Sequence, residues 1–231
     1  MPPFSTRETY DRQLNNLLNE VLVLGSMAEQ AILDAVDALR RRDLQAAERI
    51  YLGDQALNAK RYAIESEALT IMATQQPMAR DLRMLAAVLE IITELERIGD
   101  YAKGICRINL MLGDESLPLP VTDLQTMAEL GLDMLRRALT AFIQRDADTA
   151  RLIPQRDDQV DALYSQIYNQ VIQQVIADPS SMGRANLMIW AAHNLERMAD
   201  RVTNICERIV FVVTGEMREL DGARPDSGQF S

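Results

Sequence analysis

The sequence is short of the residues on which much catalytic chemistry depends. Its 231 residues include one histidine and two cysteines. Two cysteines inside apolar-periodic segments exclude an extracellular disulfide framework and read as core thiols in a reducing compartment. A single histidine leaves no pair of ExxH motifs, which argues against the oxygen-activating di-iron bundles. No Gly-rich phosphate loop follows a strand, no GxSxG elbow occurs, and neither cysteine has a histidine near it in sequence. Aromatic residues make up only 5% of the chain, with 10 glycines and 8 prolines. Leu, Ala, Met, Glu, Gln and Arg fill the long segments instead, which favours helix over sheet. No apolar run approaches the roughly 20 residues a membrane span requires. The N-terminal stretch lacks the basic-then-apolar layout of a signal peptide. A cytoplasmic protein without direct membrane insertion is the expectation. Basic patches are also missing, and the formal net charge is −10. That field repels phosphate backbones, so no nucleic-acid partner is expected and cations are the natural small ones.

What remains is ample for a core, since 48% of the residues are hydrophobic. Punctuation divides them into helices. Ser5-Thr6-Arg7-Glu8 has the form of a capping box opening a helix over about Thr6 to Arg41. A polar turn at Arg40 to Asp43 leads to a second helix, about Asp43 to Thr74. Gln76-Pro77 ends that segment, and a third helix is expected from about Met78 to Leu112. Residues 113–121, with two prolines, form a linker. Helices then follow at about Thr122 to Gln144, Ala147 to Ala177 and Ser180 to Gly215, with a break at Asp178-Pro179. Residues 217–231 are polar and read as a mobile tail. The expectation is an all-α protein of two tandem three-helix units, residues 1–112 and 122–216.

The two units share a motif. LERIGDYAKGIC, Leu95 to Cys106, and LERMADRVTNIC, Leu195 to Cys206, agree at six of twelve positions. An internal repeat of about 100 residues explains this. On a helical wheel Val88, Leu95, Ile98, Ala102, Ile105 and Cys106 centre an apolar stripe. Glu96 and Asp100 lie on its shoulder, as do Glu196 and Asp200, while Arg97 and Arg197 point further out. Like charges one turn apart repel by roughly 0.2–0.5 kcal/mol even when exposed, and partial burial adds to the cost. Three things could offset it: a neighbouring Arg or Lys, a shifted pKa, or a bound cation. The preceding helices add oxygen donors at the same spacing, Asp54 and Asn58 in the first unit, Asp157 and Asp161 in the second. Such oxygen-rich sets suit Mg²⁺, Mn²⁺, Ca²⁺ or iron better than structural zinc. Four carboxylates against three plus an amide make the second set the stronger cation site. The competing reading is a solvated acidic face. His193, three residues before Glu196, could add a nitrogen ligand, but the first unit has Thr93 there and an incidental imidazole is the simpler reading.

Glu94 to Asp100 and Asn194 to Asp200, the latter running on as RVTNICERIVFVVTGE, resemble the two signature helices of the PhoU family. Gln76-Pro77-Met78-Ala79-Arg80-Asp81-Leu82-Arg83 is similar to the family's entry into its third helix. The resemblance spans about residues 6 to 216. It implies two three-helix bundles related by a pseudo-twofold axis, often as a homodimer. It implies a non-enzymatic cytoplasmic negative regulator of high-affinity phosphate uptake and of the phosphate-starvation two-component response. The implied partners are the phosphate transporter's ATPase subunit and the phosphate-sensing histidine kinase. The implied cofactors are metal ions such as iron, zinc, manganese or magnesium. Their ligands would be Glu96, Asp100, Glu196, Asp200, Asp157 and Asp161, with Asp54 and Asn58 matching in part. Many members carry His directly after the motif Asp, where this chain has Tyr101 and Arg201. A carboxylate-bridged metallohydrolase and a metal-independent helical module are the alternatives.

Overall fold

The computed structural model describes residues 6–113 and 122–220, and every regular element among them is helical. Helices α1 (Thr6–Arg41), α2 (Leu44–Gln75) and α3 (Arg80–Leu112) build the first repeat. Helices α4 (Thr122–Gln144), α5 (Ala147–Leu152), α6 (Asp157–Ala177) and α7 (Met182–Thr214) build the second. The Ser5 cap, most of the linker and the end of the tail lie outside the described residues.

The first turn of each repeat is made the same way. Arg42 and Arg145 take left-handed φ values of 57° and 55°, which end α1 and α4. The next residue is an Asp that caps the following helix. Asp43 accepts from the Ala46 N–H at 2.8 Å, and Asp146 accepts from the N–H groups of Asp148 and Thr149. These carboxylates satisfy amides that have no partner within the helix. In the first repeat Arg42 also donates to Asn109 Oδ1 (2.6 Å) and to the Gly113 carbonyl, while Asn109 donates to the Ala38 carbonyl (2.9 Å). The buried amide is thereby satisfied on both sides.

The expected single helix from Ala147 to Ala177 is two helices. Pro154 has no N–H and its ring meets the carbonyl one turn back, so the chain tightens into a 3₁₀ turn over Ile153–Arg156 before α6 begins at Asp157. Helix α3 starts at Arg80 rather than Met78, because Gln76 and Ala79 both take a left-handed φ of 47° around Pro77. Pro179–Ser181 form another 3₁₀ turn ahead of α7, and Gly215 (φ 79°) closes that helix. The expected tail is held at its start, since the Leu220 N–H donates to Glu207 Oε1 at 3.0 Å and its side chain packs on the core.

Helices α3 and α7 are the inner pair: α3 packs on α1, α2 and α7, and α7 packs on α3, α4, α5 and α6. Their contacts run antiparallel. Glu90 meets Arg208 (3.0 Å), Glu94 meets Asn204 (3.2 Å), Tyr101 lies under Arg197, and Asn194 closes on Gly104. A Cβ at residue 104 would stand 2.8 Å from Asn194 Oδ1, so a larger residue there would displace the Asn194 side chain. The centre of the crossing falls at Gly99 and Ala199, the same position of the two repeats, as a pseudo-twofold axis requires. Helices α1 and α4 make a second contact between the halves, with Arg136 bridging to Glu29 at 2.6 Å. One continuous core results. It contains Val88, Leu95, Ile98, Ala102, Ile105 and Cys106, the whole apolar stripe expected of α3, and their counterparts Leu195, Val202, Ile205 and Cys206. Both cysteines are buried free thiols, and burial pushes each up to about 12.

Candidate cation sites

In the first repeat the central carboxylate already has a cation. Asp54, from α2, is the most enclosed of the acidic candidates, with its side chain only 6% exposed. Lys103 reaches across from α3 and donates to Asp54 Oδ2 at 2.7 Å, which raises the lysine above its usual range. Asn58, one turn further along α2, turns its amide nitrogen to the same oxygen at 3.1 Å. It therefore acts on Asp54 as a donor. Asp54 Oδ1 is buried without a partner. On α3, Glu96 is half-buried and Asp100 lies at the exposed rim. Desolvation and the charge of Asp100 raise Glu96, while Arg61 and Arg97 pull it back. Desolvation and Asp54 raise Asp100, and Lys103 opposes them. Three carboxylates thus face Lys103 and Arg61, with the exposed Arg97 beside Glu96 on the same helix.

The second repeat has the acids without counterparts of Lys103 and Arg61. Asp157 opens α6, one residue after the turn that Pro154 forces. Asp161 follows one turn later, and Glu196 and Asp200 come from α7. Burial, then Asp161, Asp200, Glu196 and Asp158, push Asp157 up to about 7, and its Oδ1 is buried without a partner. Desolvation and Asp200 raise Glu196, and His193 moderates the rise. The imidazole stands beside the carboxylate, Nδ1 to Oε2 3.1 Å, with the Tyr164 ring 6.1 Å from its own. His193 thus neighbours the site through Glu196, with its own side chain 51% exposed. Thr93, its counterpart, bonds only the Leu89 carbonyl.

Counting from the shared capping Asp, residue 61 of the first repeat corresponds to 164 of the second, and the α3/α7 motif pairs 103 with 203. The two bases of the first repeat are thus Tyr164 and Thr203 in the second, both neutral, and Thr203 Oγ1 is buried without a partner. Lys103, Arg61, Tyr164 and Thr203 were not among the residues expected from sequence. The signal was present in the mismatches within the repeat.

All eight candidates come together by repeat: Asp54, Asn58, Glu96 and Asp100 where α2 packs on α3, Asp157, Asp161, Glu196 and Asp200 where α6 packs on α7. Neither set is a closed coordination shell. Among the described residues, no three His, Cys, Asp or Glu side chains are grouped tightly enough to hold an ion as placed. The second set nevertheless fits a hard cation by its chemistry. It offers oxygen ligands, an orphaned buried carboxylate oxygen, mutual repulsion that a bound cation would relieve, and an exposed member, Asp161, through which an ion can enter.

Tyr101 and Arg201, which directly follow the motif Asp of each repeat, make contacts across the inner pair. The Tyr101 ring lies under the Arg197 guanidinium at 5.4 Å, and Arg201 pairs with Glu94 at 3.3 Å. Arg97 and Arg197 are exposed, as the wheel implied. No helix among the described residues is long and apolar enough to cross a membrane.

Comparison with known proteins bears on both repeats. The PhoU domain model matches twice, over residues 21–108 and 124–209. The phosphate-specific transport system accessory protein PhoU homolog of Clostridium acetobutylicum is 33% identical over 217 residues, covering 94% of this chain and 99% of that protein. The phosphate-specific transport system accessory protein PhoU of Escherichia coli K12 is 34% identical, covering 94% and 90%. A crystal structure of the phosphate transport system regulatory protein PhoU from Streptococcus pneumoniae superposes with a TM-score of 0.84 at 32% identity, covering 90% of this chain and 99% of that one. PhoU from Pseudomonas aeruginosa superposes with the same TM-score at 30% identity, covering 90% and 100%. With the family's domain matched in both halves and the fold shared end to end, the chain belongs to the PhoU family.

Proposed function

We propose that this chain is an accessory protein of phosphate transport that works as a regulatory adaptor rather than as an enzyme. In this reading it is cytoplasmic, forms a homodimer and restrains both high-affinity phosphate uptake and the phosphate-starvation two-component response. Its helical surfaces meet the transporter's ATPase subunit and the phosphate-sensing histidine kinase. The observation that carries the role is the match to accessory proteins of phosphate transport over both repeats and nearly the full length of each. A divalent or trivalent cation, iron, zinc, manganese or magnesium, belongs to the same reading. Asp157, Asp161, Glu196 and Asp200 would hold it, and its charge would fix α6 against α7. The unpartnered Asp157 oxygen supports that placement.

Two measurements test the two parts. In a strain lacking the protein, alkaline phosphatase is expected to escape repression in high phosphate. The tagged protein is expected to capture the ATPase subunit and the kinase. Normal repression together with no capture of either partner would sink the adaptor reading. Elemental analysis of anaerobically purified protein is expected to find metal that Glu196→Gln with Asp200→Asn removes. Metal-dependent phosphoester hydrolysis abolished by the same pair would favour a hydrolase instead.

A further inference from the structure

We infer that Lys103 is the resident cation of the first repeat: its ammonium occupies the place a metal would take beside Asp54, so metal uptake by this chain is confined to the second repeat. This rests on the reading that the second repeat holds a cation.

Four observations carry it. The contact is short and enclosed, Nζ to Oδ2 at 2.7 Å against a carboxylate 6% exposed, while the lysine side chain is 33% exposed. The pair balances the charge of the desolvated carboxylate through Oδ2 without any other ion, although Oδ1 has no partner. Second, Asn58 spends its nitrogen on the same oxygen, so the polar partner at the ligand spacing reinforces the lysine's role and offers Asp54 a proton donor. Third, the ammonium also faces the Tyr51 ring, 5.3 Å from its centre, a second contact that favours the charged lysine there. Fourth, the second repeat is an internal control. It keeps the carboxylates but places Thr and Tyr where the first has Lys103 and Arg61; one oxygen of the α2 or α6 acid is unpartnered in each repeat, and only in the first does an ammonium bond the other.

The first repeat has room for the exchange. A cavity of about 280 Å³ borders the pair, lined by Asp34, Asp54, Gly99 and Lys103 among others. Withdrawing the lysine enlarges it further and leaves Asp54, Glu96 and Asp100 facing one another with one base fewer. Oxygen ligands and water then stand where the ammonium was, the surroundings a hard divalent ion takes.

Equilibrium dialysis with Mn²⁺, counted by elemental analysis, separates this from the underlying cation reading. Three proteins are compared: the wild-type chain, Lys103→Thr, which gives the first repeat the second repeat's residue, and Lys103→Thr with Asp54→Asn. The expected counts are about one, two and one ions per chain. Lys103→Met is the companion should the threonine variant unfold, with circular dichroism confirming helix content and melting followed in chelator. Failure of both folded lysine variants to gain an ion overturns the inference, whatever the wild-type chain binds. Two ions on the wild-type chain, one of them lost with Asp54→Asn alone, overturns it as well. No ion on the wild-type chain but one gained by Lys103→Thr supports the lysine's role and removes the second-repeat cation reading.

Discussion

The two repeats face the same electrostatic problem and resolve it differently. Each sets an acidic pair on the shoulder of its inner helix and a further acid on the neighbouring helix, where burial makes negative charge costly. The first repeat answers with covalently attached cations, Lys103 at 2.7 Å from Asp54 and Arg61 near Glu96. The second has neutral residues at both positions and carries the strain as a carboxyl group pushed up to about 7. Positions identical between the repeats mark a shared framework. The positions that differ decide what each half can bind.

The largest expected effect comes from moving the first repeat's bases into the second. Tyr164→Arg with Thr203→Lys gives α6 and α7 the pair of cations that α2 and α3 already have. Repulsion by two fixed charges near the ion, with competition for the same oxygens, should weaken Mn²⁺ binding in the second repeat by at least about 100-fold, roughly 2.7 kcal/mol. Isothermal titration measures it directly. Undiminished affinity in a folded double variant would mean that the ion, if it binds, does so away from these four carboxylates.

Much of this comparison was legible in the sequence, and its limits have physical causes. The apolar stripe of α3, the six-in-twelve repeat and the break at the Asp capping residues all depend on local periodicity and turn chemistry, which a sequence displays. Three means of compensating the acids were also readable, but not which repeat uses which. That choice depends on Lys103 reaching Asp54 across 49 residues of chain, a contact set by the packing of α2 on α3. The surroundings of His193 were hidden for a related reason. Its partner Glu196 lies on its own helix, but the Tyr164 ring that completes its surroundings comes from α6. Pro154 was visible, yet its effect was missed because the apolar pattern continues through the 3₁₀ turn, with Ile153 and Pro154 both buried.

Single neutralisations on the α2 and α6 acids should then have opposite signs. Asp54→Asn removes the partner of Lys103. A fully buried pair broken this way costs about 3–5 kcal/mol, and solvent access to the lysine lowers the expectation to about 2 kcal/mol. Asp157→Asn relieves repulsion from Asp161, Asp200 and Glu196 and should stabilise metal-free protein by about 0.5–1 kcal/mol above pH 7. Urea denaturation in chelator checks both. Equal destabilisation by the two changes would erase the proposed difference between the repeats.

The Asp157 effect should also depend on pH with a definite sign. Its folded-state pKa is raised from 3.8 to about 7, so between those values the folded chain keeps a proton that the unfolded chain releases. The stability this supplies is complete below 3.8 and disappears as pH rises through about 7. In chelator, Asp157→Asn should therefore gain on the wild type in melting temperature as pH rises from about 5 to about 8. Metal should reverse the trend for the wild type, because an ion must displace that proton to bind. A gap that does not change with pH would place Asp157 among ordinary surface carboxylates.

The smallest effect, the coupling of Arg197 to Tyr101, concerns the axis itself, where the repeats also differ. On one side Arg197 covers the Tyr101 ring at 5.4 Å, and on the other Arg201 reaches Glu94 at 3.3 Å. Tyr101 and Arg201 are equivalent positions, so a cation–π contact and an ion pair occupy related places across the α3–α7 crossing. Arg197 is exposed, and its replacement by Ala should cost about 0.5–1 kcal/mol. Arg201→Ala should cost more, about 1–2 kcal/mol, because Glu94 is largely buried and keeps only Arg97 and Asn204. A double-mutant cycle of Arg197→Ala with Tyr101→Leu isolates the stacking from the loss of either side chain. A coupling energy below about 0.3 kcal/mol would show that the arginine merely covers the ring, and that the crossing is held by its apolar centre and the Glu94 cluster.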